Sequence, residues 1–271
     1  MVFFPNCKIN LGLTILRKRE DGYHDLETVF YPLPLKDALE INRADKLLFT
    51  ATGIPIPGES SNNLCLKAFY LLQKDFPDLP AVDIHLHKRI PIGAGLGGGS
   101  SDGAHMLLLL DKRFNLQLTK EKLLEYAAQL GSDCPFFILN TPCLGGGRGE
   151  RLEPVGLDLS GYSIVIVDPR LHISTSQAFA LCVPGVVAAG KSVKEVIGQP
   201  IGTWARDLVN AFEEPVFRQY PSLGPIKDQL YARGAIYASL TGSGSGVFGI
   251  FEKGMIPSLI FEPDYEVILL T

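Results

Sequence analysis

The segment Pro91-Ile92-Gly93-Ala94-Gly95-Leu96-Gly97-Gly98-Gly99-Ser100-Ser101-Asp102 joins two elements of different periodicity. Before it, Val82, Ile84 and Leu86 alternate as a strand that runs into Lys88-Arg89-Ile90. After it, Ala104 to Phe114 reads as a buried helix. Five of the seven residues from Gly93 to Gly99 are glycine. Glycine costs roughly 0.5–1 kcal/mol per residue in a regular element, so such a run belongs where side chains are unwelcome. Flexible linkers do not usually separate a strand from a buried helix. Bare N–H groups beside a helix N-terminus make an anion cradle, and the helix dipole favours a phosphate there. Ser100 and Ser101 add hydroxyl donors.

Three nucleotide motifs are separable at this point. Gly93, Gly95 and Gly98 satisfy G-x-G-x-x-G, a weak pattern alone. Its dinucleotide form wants an acidic residue ending the next strand, about 20 residues on. Here that stretch is helical and leads to Asn115 and Thr119, which disfavours hydride chemistry. No lysine follows the glycines as a P-loop needs, and the H-R-D and D-F-G signatures of protein kinases are absent.

Working outward, Cys7, Ile9, Leu11, Leu13 and Ile15 alternate with Lys8, Asn10, Gly12 and Thr14, which predicts a half-buried strand over 7–16. The turn Arg17 to Gly22 ends in Asp-Gly, and a return strand follows over 23–31. Lys8 and Asn10 share the polar face, roughly 6–7 Å apart; that face is either solvated or functional. Short strands are expected over 38–41 and 47–52, and helices over 64–72 and, capped by Thr119, over 119–130. In Gly131-Ser132-Asp133-Cys134-Pro135-Phe136-Phe137, Asp133 lies at a helix start. It either caps that helix or serves as a proton acceptor, and the two roles are compatible. Thr241-Gly242-Ser243-Gly244-Ser245-Gly246, between strands 235–240 and 247–251, is either a hairpin turn or a second anion loop. A strand over 163–167, a mostly helical region over 174–232 broken at Pro184, Pro200, Pro215 and Pro221, and a last strand over 266–270 suggest a second α+β unit.

The 271 residues are 46% hydrophobic with a net charge of −4, which excludes disorder as the main state and gives no support to nucleic acid as a partner. Purely apolar runs such as Met106 to Leu110 are too short to span a membrane, and the first thirty residues lack a signal-peptide layout. Five cysteines without a CxxC pair fit a reducing cytoplasm. His85 and His87 share a strand face without a third metal ligand, and solvent exposure accounts for them. His105 reads as a core histidine, and His172 has no role.

The glycine segment, Lys8-Ile9-Asn10-Leu11, Gly131 to Phe137 and Thr241 to Gly246, in that order, resemble the GHMP kinase superfamily of small-molecule kinases. Asp21-Gly22-Tyr23-His24 and Gly147-Arg148-Gly149-Glu150 resemble its branch whose acceptor is a cytidine diphosphate conjugate of methylerythritol, phosphorylated on its 2-hydroxyl in non-mevalonate isoprenoid synthesis. The resemblance implies an α+β fold of two domains. Residues 1–159 would form a mixed sheet with helices, and 160–271 a smaller ferredoxin-like α/β sandwich. It implies Lys8 and Asp133 as the catalytic pair. It implies ATP held by Pro91, Ile92, Gly93, Ala94, Gly95, Leu96, Gly97, Gly98, Gly99, Ser100 and Ser101, with Lys88 and Asn63 near the adenosine. Asn10, Tyr23, His24, Thr175, Phe179, Gly242 and Ser243 would bind the acceptor, Tyr23 stacking on the cytosine and His24 bonding its edge. Magnesium would arrive with ATP rather than at a protein-built metal site. A monomer and a homodimer are both open. Other superfamily kinases (mevalonate- or homoserine-type) and a non-catalytic nucleotide binder are the competing functions. The chain departs from the family at Cys7, Ser132 and Cys134, and its segment 251–265 is short for the usual helix.

Overall fold

The computed structural model describes residues 1–182, 191–255 and 258–271. In chain order the elements are β1 (Val2–Phe3), β2 (Asn6–Lys18), β3 (His24–Lys36), β4 (Ala38–Arg43), β5 (Leu48–Gly53), α1 (Leu64–Asp75), β6 (Val82–Lys88), α2 (Gly98–Phe114), α3 (Lys120–Leu130) and α4 (Cys134–Leu139). There follow β7 (Cys143–Gly146), β8 (Arg151–Pro154), β9 (Tyr162–Asp168), α5 (Thr175–Leu181), α6 (Val193–Ile197), α7 (Trp204–Asp207), α8 (Glu213–Gln219), α9 (Leu223–Ala232), β10 (Tyr237–Leu240), β11 (Val247–Glu252) and β12 (Glu266–Leu270). The chain forms two compact units, one of residues 1–8, 32–92 and 97–141, the other of 9–31, 93–96 and 142–271. The expected single cut between 159 and 160 therefore does not follow the compact units. The long strands β2 and β3 each leave one unit and enter the other, so the units are interleaved in sequence.

In the first unit the sheet order is β1-β4-β6-β5. β5 and β6 are parallel and joined through α1, as a parallel pair requires a crossover. Val82, Ile84 and Leu86 of β6 are fully buried, as their alternation predicts. Thr119 caps α3 by accepting from the Lys122 amide. α2 begins at Gly98, six residues before the apolar run that announces it. Packing of that run carries the helix back through glycines and serines that have little helical preference of their own.

In the second unit β10-β11-β9-β12 form an antiparallel sheet. Val165, Val167, Leu240, Val247 and Phe251 pack there with Phe212, Val216, Leu223, Ile226 and Leu230 of the helical region. The α+β reading of the sequence holds. The sheet β2-β3-β7-β8 completes the architecture.

Two expectations need correction. β2 is buried on both faces: Lys8 and Asn10 are as enclosed as Ile9 and Leu11, so their side is not a solvated one. Pro215 does not break the helical region but sits third in α8, where its missing N–H needs no partner. Pro200 does precede a short 3-10 turn and Pro221 does separate α8 from α9, while Pro184 and Pro257 lie outside the described residues. After β11, the described residues 258–265 contain no helix, and Leu259, Phe261 and Tyr265 pack against the core instead.

Candidate active site

The glycine-rich segment alternates in handedness. Gly93, Gly95 and Gly97 have φ of +81°, +75° and +71°, and then the chain turns into α2. At Gly97 a Cβ would come within 3.0 Å of both Lys8 Cε and Phe137 Cζ, so the stem of Lys8 lies directly against the start of the helix. Gly99 is different. It is exposed, and no heavy atom lies within 4 Å of where its Cβ would be. Its bareness serves no packing in the protein, which leaves the exposed first turn of α2 as a ledge of amides. Ser101 is fully buried and does not face that ledge; its hydroxyl and carbonyl meet His105 Nδ1 at 3.3 and 2.9 Å. His105 is thus the satisfied core histidine its setting suggests, and burial lowers its pKa.

Lys8 Nζ stands 3.3 Å from Asp133 Oδ2, the lysine side chain 4% exposed and the aspartate 34%. Asp133 occupies the N-cap position of α4 but makes no side-chain capping bond. The capping reading therefore accounts for its backbone position and not for its carboxylate, which points to a buried ammonium and partly to solvent. Next to it, burial pushes the Cys134 thiol up to about 12, so the thiol is no nucleophile. Lys8, Asp133 and Gly97 all belong to the first unit.

Within the second unit, the loop after β10 is laced to residues 93–96. Ser245 N donates to Gly93 O at 3.3 Å and Gly246 N to Ala94 O at 3.1 Å. The Thr241 hydroxyl accepts from Asn10 N at 3.2 Å and donates to Gly95 O at 3.3 Å. Asn210 Nδ2 holds the carbonyls of Leu240 and Gly242, each at 2.8 Å. The loop is thus a support for the glycine segment rather than a simple hairpin turn.

The chain has matches among known proteins. Residues 63–141 match the GHMP kinases N terminal domain and residues 194–260 the GHMP kinases C terminal domain. A 4-diphosphocytidyl-2-C-methyl-D-erythritol kinase of Bacteroides fragilis is 52% identical over 255 residues, covering 93% of this chain and 92% of that protein. The chain belongs to the 4-diphosphocytidyl-2-C-methyl-D-erythritol kinase family of the GHMP kinases. A kinase of the same name from Parabacteroides distasonis is 47% identical over 253 residues, covering 93% of this chain and 92% of that one. The crystal structure of a 4-(cytidine 5'-diphospho)-2C-methyl-D-erythritol kinase superposes with a TM-score of 0.79 at 33% identity, covering 92% of this chain and 90% of its own. A homoserine kinase from Cytophaga hutchinsonii reaches a TM-score of 0.69 at 14% identity, a likeness of fold alone.

The chain also carries a group of aromatic rings in its second unit. Tyr23 is 55% exposed, with the Arg148 guanidinium 4.6 Å from its ring centre, so one face of the ring is taken. The ring of His24 lies parallel to Phe179, 4.8 Å away and 7° off, and Phe179 meets Phe212 edge-on at 4.9 Å. Thr175 begins α5, its hydroxyl 3.5 Å from that of Ser243. Asn10 is enclosed, its Nδ2 donating to Thr28 Oγ1 at 3.1 Å. Sequence reasoning passed over Arg148 as part of a motif; a cation two residues from Glu150 gave no hint that it would cover Tyr23.

Two residues expected near the adenosine have other engagements in this kinase. Asn63 caps α1, its Oδ1 accepting from Cys65 N at 2.9 Å. The Lys88 side chain is 3% exposed and ion-paired to both Asp37 and Asp102, so its ammonium is not offered to a ligand. The reason is burial: an ammonium closed into this unit needs carboxylate partners. Asp37 and Asp102 were not singled out from sequence. Asp102 directly follows the serines of the motif, and its buried helical position was the available signal.

Proposed function

We propose that the chain transfers the γ-phosphoryl group of ATP to the 2-hydroxyl of 4-diphosphocytidyl-2-C-methyl-D-erythritol, yielding the 2-phosphate and ADP. The observation that carries this is the carboxylate of Asp133 beside the buried ammonium of Lys8, against the bare start of α2. Phosphoryl transfer leaves little covalent work to a protein, and positioning with charge neutralisation does most of it. The amides of Gly97 to Ser100, with residues 91–96 leading into them, hold the nucleotide phosphates; the Ser101 amide is already bonded to Gly97 O at 2.9 Å. The acceptor's hydroxyl proton passes to Asp133, its oxygen bonds to the γ-phosphorus, and the bond from that phosphorus to the bridging oxygen breaks to leave ADP. Lys8 compensates charge on the transferring group. Tyr23 and His24 receive the cytosine, Tyr23 through its uncovered face, with Phe179, Thr175, Ser243, Gly242 and Asn10 around the rest of the acceptor.

Magnesium fits as a companion of the nucleotide. Among the described residues no three His, Cys, Asp or Glu side chains cluster as a cage. The Ser100 hydroxyl is the protein oxygen that would complete a shell of phosphate oxygens and water. When bound, the ion neutralises phosphate charge. Cys7, Cys65, Cys134 and Cys182 are free thiols, which fits a reducing compartment and a cytoplasmic enzyme. No helix among the described residues is long and apolar enough to cross a membrane.

Purified chain with ATP and the cytidine diphosphate acceptor is expected to form ADP and the phosphorylated acceptor, and none with mevalonate. ADP formation with mevalonate alone would overturn the assignment. A variant tests the ledge separately. Gly99→Ala is expected to raise stability by about 0.4–1 kcal/mol, because alanine is the better helix residue and meets no neighbour there. The same change should weaken ATP binding several-fold by placing a methyl group where phosphate lies. Stability and affinity moving in the same direction would count against the ledge as a phosphate site.

A further inference from the structure

Both ends of the glycine-rich segment return to one buried ammonium. At its start, Asp37 Oδ1 accepts the amides of Arg89 at 2.6 Å and Ile90 at 2.9 Å, while Oδ2 accepts from Lys88 Nζ. At its far end, Asp102 on the second turn of α2 accepts from the same Nζ at 2.7 Å. Lys88 and Asp102 are each 3% exposed and Asp37 is 1% exposed. The ammonium lies 3.3 Å from where a Cβ on Gly98 would be, so it also abuts the first residue of α2. All of these residues belong to the first unit.

A cluster placed only for stability would not need this arrangement. Asp37 already gives Lys88 one carboxylate and uses its other oxygen on two amides. The second carboxylate, Asp102, adds an unfavourable burial: its Oδ1 finds no hydrogen-bond partner among the described residues. Burial and the neighbouring Asp37 push its carboxyl up to about 7 against the pull of Lys88. What Asp102 does contribute is a tether across 14 residues, from the end of β6 to the helix that starts with the bare amides. Amides that must meet phosphate without rearranging need such a fixed base.

We infer that Lys88, Asp37 and Asp102 form a buried clasp that closes the base of the glycine-rich segment and positions the amides of Gly97 to Ser100 for nucleotide phosphates, without touching the ligand. This rests on the reading of those amides as the phosphate site. It also gives the Lys88 side chain a role apart from the adenosine it was expected to lie near.

The test is calorimetric titration of the full chain with ATP and, separately, with inorganic tripolyphosphate, which has no adenosine. Asp102→Ala, which cuts the tether, is expected to weaken both ligands by the same factor, about tenfold. Asp102→Asn keeps an oxygen for Lys88 and is expected to bind both within about threefold of the unaltered chain. Asp102→Leu fills the same space without a tether and carries the same expectation as Asp102→Ala should the alanine variant fail to fold. Weakening of ATP alone would overturn the clasp and return Lys88 to the adenosine. Unchanged binding of both ligands by Asp102→Ala, or no rescue by Asp102→Asn, would overturn it as well. An unaltered chain that binds neither ligand would instead refute the phosphate site itself, and the clasp with it.

Discussion

Asp133→Asn is expected to lower turnover by about 10²–10⁴-fold, the usual worth of a positioned general base, while ATP affinity stays within about twofold. The amide has the shape of the carboxylate and can still accept a hydrogen bond from Lys8 across the present 3.3 Å. It cannot take a proton. A residue that merely capped α4 would show little kinetic effect, and Asp133 makes no capping bond to lose. Steady-state turnover with the cytidine diphosphate acceptor, paired with calorimetric ATP binding, separates the possibilities. Turnover near that of the unaltered chain would remove Asp133 from the chemistry. Loss of ATP binding together with turnover would make it a nucleotide ligand rather than the base.

Gly95→Ala should have the second large effect, this time on the fold. Gly95 has φ of +75°, a conformation that costs an L-residue roughly 1–2 kcal/mol. Its Cβ would also stand 2.0 Å from the carbonyl oxygen of Thr241. That oxygen is backbone and accepts from Gly244 N, so it cannot swing aside as a side chain would. Overpacking of this kind typically costs a further 1–3 kcal/mol or so. A loss of about 2–4 kcal/mol in denaturant unfolding is expected, with activity lost as the two glycine loops are forced apart. Unchanged stability would mean that the lacing of residues 93–96 to the loop 241–246 is not as close as described. The contrast with Gly99→Ala is the useful one: neighbouring glycines in one motif respond with opposite signs, because one makes room for the protein and the other for a ligand.

Much of this arrangement was legible from residue order. The alternation at Val82, Ile84 and Leu86, the Thr119 cap and the glycine run located the strand, the helix and the loop, because each is set by neighbours within a few positions. Lys8 with Asp133 was legible through family likeness; no local rule joins residues so far apart in sequence. What local patterns could not convey was environment. Period two marks Lys8 and Asn10 as the polar side of a strand, yet that side is covered and both are buried. A helix start at Gly98 runs against propensity and follows from packing further along. The clasp escaped notice because Asp37 and Lys88 meet across 51 residues, and nothing near Asp37 distinguishes it from a solvated turn residue.

The most direct test of the central claim is a crystal structure of the chain with the acceptor and a non-hydrolysable ATP analogue bound together. The acceptor's 2-hydroxyl is expected within hydrogen-bond distance of Asp133, and the terminal phosphate against the amides of Gly97 to Ser100 beside Lys8. A triphosphate seated elsewhere, or an acceptor hydroxyl out of reach of Asp133, would contradict it.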